Sequence, residues 1–362
     1  MRMTSLERVR AAVDHTQPDR IPMDLRYTPE MKKKLLEYLG MSEADFWEWA
    51  GQDVFTVRPR YTKPASEIYY ADPTAFIDEE GNLCDIYGVP FRQVDTGKEI
   101  YIENVNKPPL ADMETLEELE DYPWPSADDW DYSGIPAGID AHPDKAVWCR
   151  SRGPFQIAQM MRGVDTFLMD MAAEPEFAEA ILHHIMSFVR EDARRSLEAG
   201  QGRYTFIEYN DDVATQRGML ISPNMWRQFI KPIMADFCEM AHSYGAKVRY
   251  HSCGSIYAII PDLIEVGVDI LNPIQPLAAD MDPYKIKKEF GDKICLHGGI
   301  DIQELLPNGT VEEVRETVKR MIQEVGKGGG YILAGSHTIQ ADANPENIKV
   351  MIETALTEIG GN

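Results

Sequence analysis

Apolar residues in this chain follow two rhythms. Short runs place them at every second position, as in a strand with one face against a core. Longer runs place them every three to four residues, as on one side of a helix. The strand-like runs are Ile21–Leu25, Val54–Arg58, Ala146–Arg152, Tyr204–Asn210, Lys247–Ser252, Val268–Pro273, Lys293–Gly298 and Tyr331–Ser336. Helical spacing covers Asp165–Glu198, Pro223–Tyr244, Ser255–Val266, Asp282–Phe290 and Thr310–Val325. Strands alternating with helices imply parallel crossovers and an α/β fold. Eight such strands predict a (β/α)8 TIM barrel. An open doubly wound sheet is the competing architecture, but no Gly-x-Gly-x-x-Gly turn follows any strand, which removes the usual nucleotide reading.

Helix punctuation agrees with the later units. Ser222-Pro-Asn-Met-Trp and Asn344-Pro-Glu-Asn-Ile each place a capping side chain before a proline in the first turn. Residues 60–135 break the rhythm. Phe76 to Val89 reads as a hairpin turning at Gly81-Asn82, Tyr101-Ile-Glu-Asn-Val as another strand, and Pro108–Trp130 as an acidic loop. The expectation is one barrel domain over 1–362, with 60–135 inserted across one end.

Composition narrows the class. With 44% hydrophobic residues the chain can bury a sizeable core, and no window reaches the length of a membrane span. The first residues lack the apolar centre of a signal peptide, so a cytoplasmic location is expected. A net charge of −24 disfavours a phosphate-backbone binder, which needs a basic face, and favours solubility. The five cysteines, at 84, 149, 238, 253 and 295, form no disulfide framework. Four read as buried apolar residues, and only Cys253 has a metal-ligand neighbour at strand spacing.

In such a barrel the active site lies at the C-terminal ends of the strands. Those ends carry Glu208, Asn210, Asp211 and Asp212; His251 and Cys253; Asn272 and Gln275; His297 and Asp301; and His337. Residues two apart on a strand share a face, so His251 and Cys253 can grip one ion. His337 completes a zinc-type trio of two imidazoles and a thiolate, with Glu208 at an exchangeable fourth position. The plainer alternative makes Cys253 a small core residue and both histidines hydrogen-bonded structural groups. His297, before two glycines, is either a group facing a ligand or a strand-end cap. Of Asp211 and Asp212, adjacent on extended backbone, at most one can face the site; Asp212 is the candidate acid–base group, with Glu208 and His297. Asp24, Tyr27, Arg152, Tyr209 and Asn210 are candidate substrate-binding residues. Arg150 and Arg152 suit a carboxylate or phosphate, or an ordinary salt bridge.

Several segments together resemble the uroporphyrinogen decarboxylase superfamily: Glu7-Arg-Val-Arg-Ala-Ala-Val, Pro18-Asp-Arg-Ile-Pro, Leu220-Ile-Ser-Pro-Asn-Met-Trp-Arg-Gln-Phe-Ile-Lys-Pro, His251-Ser-Cys-Gly, His297-Gly-Gly-Ile-Asp and Pro345-Glu-Asn-Ile. The resemblance implies a (β/α)8 barrel with its site in the mouth. Decarboxylases of that superfamily carry Arg-Gln-Ala-Gly-Arg after the first strand; here Met23-Asp-Leu-Arg-Tyr-Thr-Pro-Glu-Met has one arginine. The corrinoid (cobalamin)-dependent methyltransferase branch is similar in its His-x-Cys, and His337 stands where that branch has a later cysteine. One thiolate with two imidazoles leaves zinc more electrophilic than two thiolates do. The resemblance thus implies Zn2+, a corrinoid protein as partner, and a small methoxylated donor of the kind used by the O-demethylase methyltransferases of anaerobic bacteria. It also leaves room for a homodimer. The other readings are a methylcobalamin:thiol methyltransferase, a tetrapyrrole decarboxylase, and a metal- or corrinoid-binding protein without catalysis.

Overall fold

Seven of the expected runs form one sheet in which every neighbouring pair is parallel. In chain order they are β1 (Val54–Thr56), β2 (Ala146–Arg152), β3 (Phe206–Asn210), β4 (Lys247–His251), β5 (Ile270–Ile274), β6 (Cys295–Ile300) and β7 (Tyr331–Gly335). This computed structural model describes residues 3–63, 74–79, 81–95, 100–105 and 107–358. The first expected run, residues 21–25, supplies the eighth stave. Met23 bridges Leu333 of β7 on one side, and its carbonyl accepts the Asp53 N–H beside β1 on the other, at 3.1 Å. The ring therefore closes into a barrel of the expected type.

Strand alternation sorts the side chains. Val54, Ala146, Trp148, Phe206, Ile270, Cys295 and Ile332 point inward and pack as one cluster. Val9 and Val13, from the helix Ser5–Val13, plug that cluster from the N-terminal end. The helix starts at a capping box, in which Thr4 and Glu7 satisfy each other's backbone N–H groups. The outward residues, such as Cys149, Ile207, Tyr209, Tyr250 and Leu333, join the larger core beneath the helices. Burying each large apolar side chain stabilises the barrel by about 1.5–3 kcal/mol.

Proline divides helices that periodicity alone reads as continuous. The expected Asp165–Glu198 is two helices, Val164–Ala173 and Pro175–Gly200, because Pro175 has no N–H to continue the ladder. The expected Pro223–Tyr244 breaks at Ile230, with Pro232 in the first turn of the second piece. Between β1 and β2 the chain makes a four-stranded antiparallel sheet. The 76–84 hairpin is present, with Gly81 at φ +87° and the Asp78 N–H bonded to the Asn82 carbonyl. The stretch read as an acidic loop also holds a short helix, Leu116–Glu120, opened by a Thr115–Glu118 capping box. Four cysteines are buried and Cys253 is half-buried, as expected. Among the described residues no helix is long and apolar enough to cross a membrane.

Candidate metal centre

Above the apolar plug, inward positions turn polar in two successive rungs. The lower rung aligns Arg150, Glu208 and Arg249 across β2, β3 and β4; the upper aligns Arg152, Asn210, His251 and Asn272 across β2 to β5. Arg249 lies over two neighbouring aromatic rings, with its guanidinium carbon 4.1 Å from the Trp148 ring and 4.7 Å from Phe206. It donates to Asp24 Oδ2 at 2.9 Å and to Glu208 Oε2 at 2.6 Å. Arg26 adds a bond to the same Asp24 oxygen at 3.2 Å.

On this platform His251, Cys253 and His337 bring one ligand atom each to within 4.8 Å of the others. His251 ends β4, Cys253 follows in the turn, and His337 lies two residues beyond β7. Gly254 lets the turn form. Its φ is +86°, and a Cβ there would stand 2.4 Å from the Thr215 carbonyl oxygen. Asp212 Oδ1 accepts the Cys253 N–H at 2.7 Å, and Gln275 Oε1 accepts the Gly254 N–H at 2.7 Å. Cys253 Sγ lies 3.8 Å from His251 Nε2, close to the ~3.6 Å edge that ordinary zinc–sulfur and zinc–nitrogen bonds give in a tetrahedron.

A hydrogen-bond chain decides which His251 nitrogen is free. Burial alone would raise the Asp24 pKa, but Arg26, His297 and Arg249 outweigh it and hold the carboxylate well below its usual range. Ionised Asp24 can only accept, so His297 Nε2, 3.0 Å away, carries the proton. Burial also lowers the His297 pKa to about 4 against the pull of Asp24, so the ring is neutral and its Nδ1 is an acceptor. Asn272 Nδ2 donates to that nitrogen at 2.6 Å. The Asn272 carbonyl oxygen then faces His251 Nδ1, also at 2.6 Å, and that nitrogen must donate. His251 Nε2 keeps its lone pair, aimed at the space shared with Cys253 and His337. Partners of this kind fix the tautomer and orientation of metal-binding histidines.

The donor set suits a metal and would be awkward without one. Desolvation pushes the Cys253 thiol up to about 12, with Asp212 adding to the shift. It lowers His251 despite the nearby Glu208 and Asp212 carboxylates. His337 is exposed at the rim, yet enough protein surrounds its ring that desolvation, helped by His251, lowers it to about 4. Both imidazoles are thus neutral at pH 7, and a cation would favour the thiolate.

The other candidates separate by strand face. Glu208 is 2% exposed, and Arg249 and Arg26 lower its pKa to about 2 against burial. Oε2 is held by Arg249, while Oε1 has no hydrogen-bond partner among the described residues. Asp212 Oδ1 stands 4.0 Å from His251 Nε2. Asn210 and Arg152 reach the mouth on the His251 rung. Tyr27 and Tyr209 do not. Tyr27 packs on Phe46 and Trp47, and Tyr209 on Phe237, both in the layer between strands and helices. Each neighbours an inward residue and so points outward. Asp24 and His297 face inward but are 3% and 2% exposed, with their polar atoms bonded to each other and to the platform. In this arrangement they position other groups. Asp211, buried, accepts the Phe155 and Gln156 N–H groups at the start of the helix Pro154–Arg162. Sequence reasoning missed Arg249, whose signal was a charge at an inward position between Val248 and Tyr250. It noted Asn272 without giving it a role.

Residues 101–357 match the family described as uroporphyrinogen decarboxylase (URO-D). The chain belongs to the uroporphyrinogen decarboxylase family. A uroporphyrinogen decarboxylase of Chlorobium phaeobacteroides is 24% identical over 192 residues, covering 51% of this chain and 50% of that protein. A methylated-thiol–coenzyme M methyltransferase of Methanosarcina mazei is 24% identical over 170 residues, covering 47% and 42%. The chain thus spans about half the length of the curated relatives it matches. Among solved structures, a methyltransferase from Methanosarcina mazei superposes with a TM-score of 0.68 at 19% identity, covering 98% of both chains. That likeness shows a shared fold over nearly the full length of the chain.

Proposed function

We propose that this chain is a zinc-assisted methyltransferase. It takes the methyl group of a methoxylated aromatic donor and passes it to the cobalt(I) of a corrinoid carried by a partner protein. The ether O–CH3 bond breaks with its electron pair left on oxygen, cobalt supplies the pair for the new bond, and the demethylated product takes up a proton. The observation that carries the reading is the trio His251, Cys253 and His337, with a single sulfur, in the barrel mouth. Kinship with a protein named as a methyltransferase supports the same class.

His251 Nε2, Cys253 Sγ and one His337 nitrogen would hold the zinc. Bound there, zinc supplies Lewis acidity that makes an ether oxygen a better leaving group. Asn272 keeps the His251 lone pair turned to the site. Glu208 Oε1, which lies outside the grouping of those three residues, would be the exchangeable fourth ligand. Asp212, held by the Cys253 N–H and by Gln156 Nε2 at 3.0 Å, would exchange a proton with the departing oxygen. Asn210 lies beside His251 on the same rung, where the donor would pass.

The test mixes zinc-loaded protein with a reduced corrinoid protein and a panel of methoxyarenes, and follows the cobalt absorption. Methyl–cobalt bands are expected with some of them. Their absence across the panel, with zinc bound, contradicts the proposal. The thiol chemistry in the name of one relative motivates a second reading, methyl transfer from methylcobalamin to a thiol. It predicts loss of the methyl–cobalt spectrum when thiol is added without any ether.

A further inference from the structure

Most arginines described in this acidic chain lie against a carboxylate. Five described arginines, Arg10, Arg58, Arg150, Arg152 and Arg217, have no carboxylate within ion-pair distance among the described residues, and of these Arg58, Arg150 and Arg152 stand close enough to repel one another. Arg152 makes only a 3.4 Å contact with Gln156 Oε1. Trp148 and Phe206 set the inward parity, and Arg150 and Arg152 continue it along β2; Arg58 lies two residues beyond β1, near enough to Arg150 to act on its charge. Arg58 and Arg150 are exposed to the mouth and Arg152 is half-buried.

Their neighbours do not neutralise them. The carboxylate beside Arg150 on its rung is Glu208, whose Oε2 is held by Arg249 at 2.6 Å. Asp24 is occupied by Arg249, Arg26 and His297. Five guanidinium groups, Arg26, Arg58, Arg150, Arg152 and Arg249, stand against Asp24, Glu208 and Asp212. In a protein of net charge −24 this wall is locally cationic. Arg150 is exposed to the mouth, yet enough protein surrounds its guanidinium that desolvation, together with the positive charges of Arg152, Arg58 and Arg26, lowers its pKa although Glu208 opposes them, so the cluster carries unrelieved repulsion. A bound anion would relieve it, and the planar guanidinium fork fits a carboxylate in particular.

We propose that Arg58, Arg150 and Arg152 hold a carboxylate of the methyl donor, so that the substrate is a methoxylated aromatic acid. The assignment rests on the methyl-transfer reading above. Register gives the spacing. Arg152, Asn210 and His251 share one rung on three consecutive strands, so Arg152 and the candidate metal ligand start roughly 10 Å apart. One benzene ring with a methoxy group at one end and a carboxylate at the other bridges such a gap, lying over Asn210. The carboxylate then anchors the donor and turns its ether oxygen toward the His–Cys–His trio.

Titration calorimetry with the full-length zinc-loaded protein tests this, using 4-methoxybenzoate and its neutral isostere 4-methoxybenzamide. The acid should bind at least about tenfold more tightly than the amide, with the preference shrinking as salt rises. Arg152→Gln and Arg150→Gln should each cut the acid-to-amide ratio by about tenfold, while Arg152→Lys keeps part of it. Equal affinity for the two ligands, or an unchanged ratio in both glutamine variants, overturns the proposal. So does a polycarboxylated porphyrin that outcompetes 4-methoxybenzoate at the same arginines. The two failures are distinguishable: selective binding without methyl transfer removes the proposed reaction, and transfer from acid and amide alike removes the anion wall.

Discussion

Asn272→Leu interrupts the hydrogen-bond chain at its middle while keeping the side-chain volume. It removes the acceptor 2.6 Å from His251 Nδ1 and the donor 2.6 Å from His297 Nδ1, and leaves the Arg249–Asp24 and Arg249–Glu208 pairs in place. His251 can then rotate and exchange tautomers, and only one tautomer presents a lone pair at Nε2. Removing such a support typically costs 10–100-fold in metal affinity, about 1.4–2.7 kcal/mol. The two buried ring nitrogens left without partners should also lower fold stability, by about 1–3 kcal/mol each. Zinc competition against a chromophoric chelator measures the first effect and urea unfolding the second. Nitrogen-15 spectra of the metal-free protein report the tautomer: in wild type the proton should reside on His251 Nδ1 and on His297 Nε2. Wild-type zinc affinity in a folded Asn272→Leu protein, or a proton on His251 Nε2 in the wild type, refutes the reasoning.

Other outcomes follow from the same geometry. Zinc binding should release about one proton per ion near neutral pH and tighten roughly tenfold per pH unit, because the Cys253 thiol, pushed up to about 12, must ionise while His337, at about 4, is already neutral; calorimetry in buffers of different ionisation enthalpy counts the protons, and a count of zero contradicts it. His297 is held neutral, with its pKa lowered from 6.5 to about 4. A group depressed on folding contributes stability that is present above its unfolded pKa and is lost as pH falls through the folded one. About 3 kcal/mol should therefore disappear between roughly pH 6.5 and 4. His297→Phe should flatten that limb of the stability–pH curve, and an unaltered limb would count against the assignment. Gly254→Ala forces a Cβ to within 2.4 Å of the Thr215 carbonyl oxygen at a positive φ, so it should weaken zinc binding by displacing Cys253 and cost about 1–3 kcal/mol of stability; chelator competition and thermal melts read both.

The barrel was legible because strand and helix periods differ, and because eight separate strand-like runs leave few alternatives. Residues 21–25 were legible as a strand even though they join the ring through isolated bridges. Helix ends were less so: periodicity runs across Pro175 and Ile230, where a missing N–H or a shifted turn divides the helix. The grouping of His251, Cys253 and His337 followed from reading strand ends together, since a barrel brings distant ends to one mouth. Listing whole strand ends also produced the errors. Tyr209 lies between Glu208 and Asn210, and Tyr27 follows Arg26, so strict alternation turns both rings outward. Arg249 and Asn272 carry their meaning in pairwise hydrogen bonds, which no single run of sequence displays.

The central claim is a metal centre with one sulfur ligand, and X-ray absorption at the zinc edge of the full-length protein tests it most directly. One zinc per chain is predicted, with one sulfur at about 2.3 Å and light-atom ligands, two of them imidazoles, at about 2.0–2.1 Å; Cys253→Ser should remove the sulfur shell. A zinc shell with two sulfurs, a sulfur shell that survives Cys253→Ser, or a chain that binds no stoichiometric metal would contradict the claim.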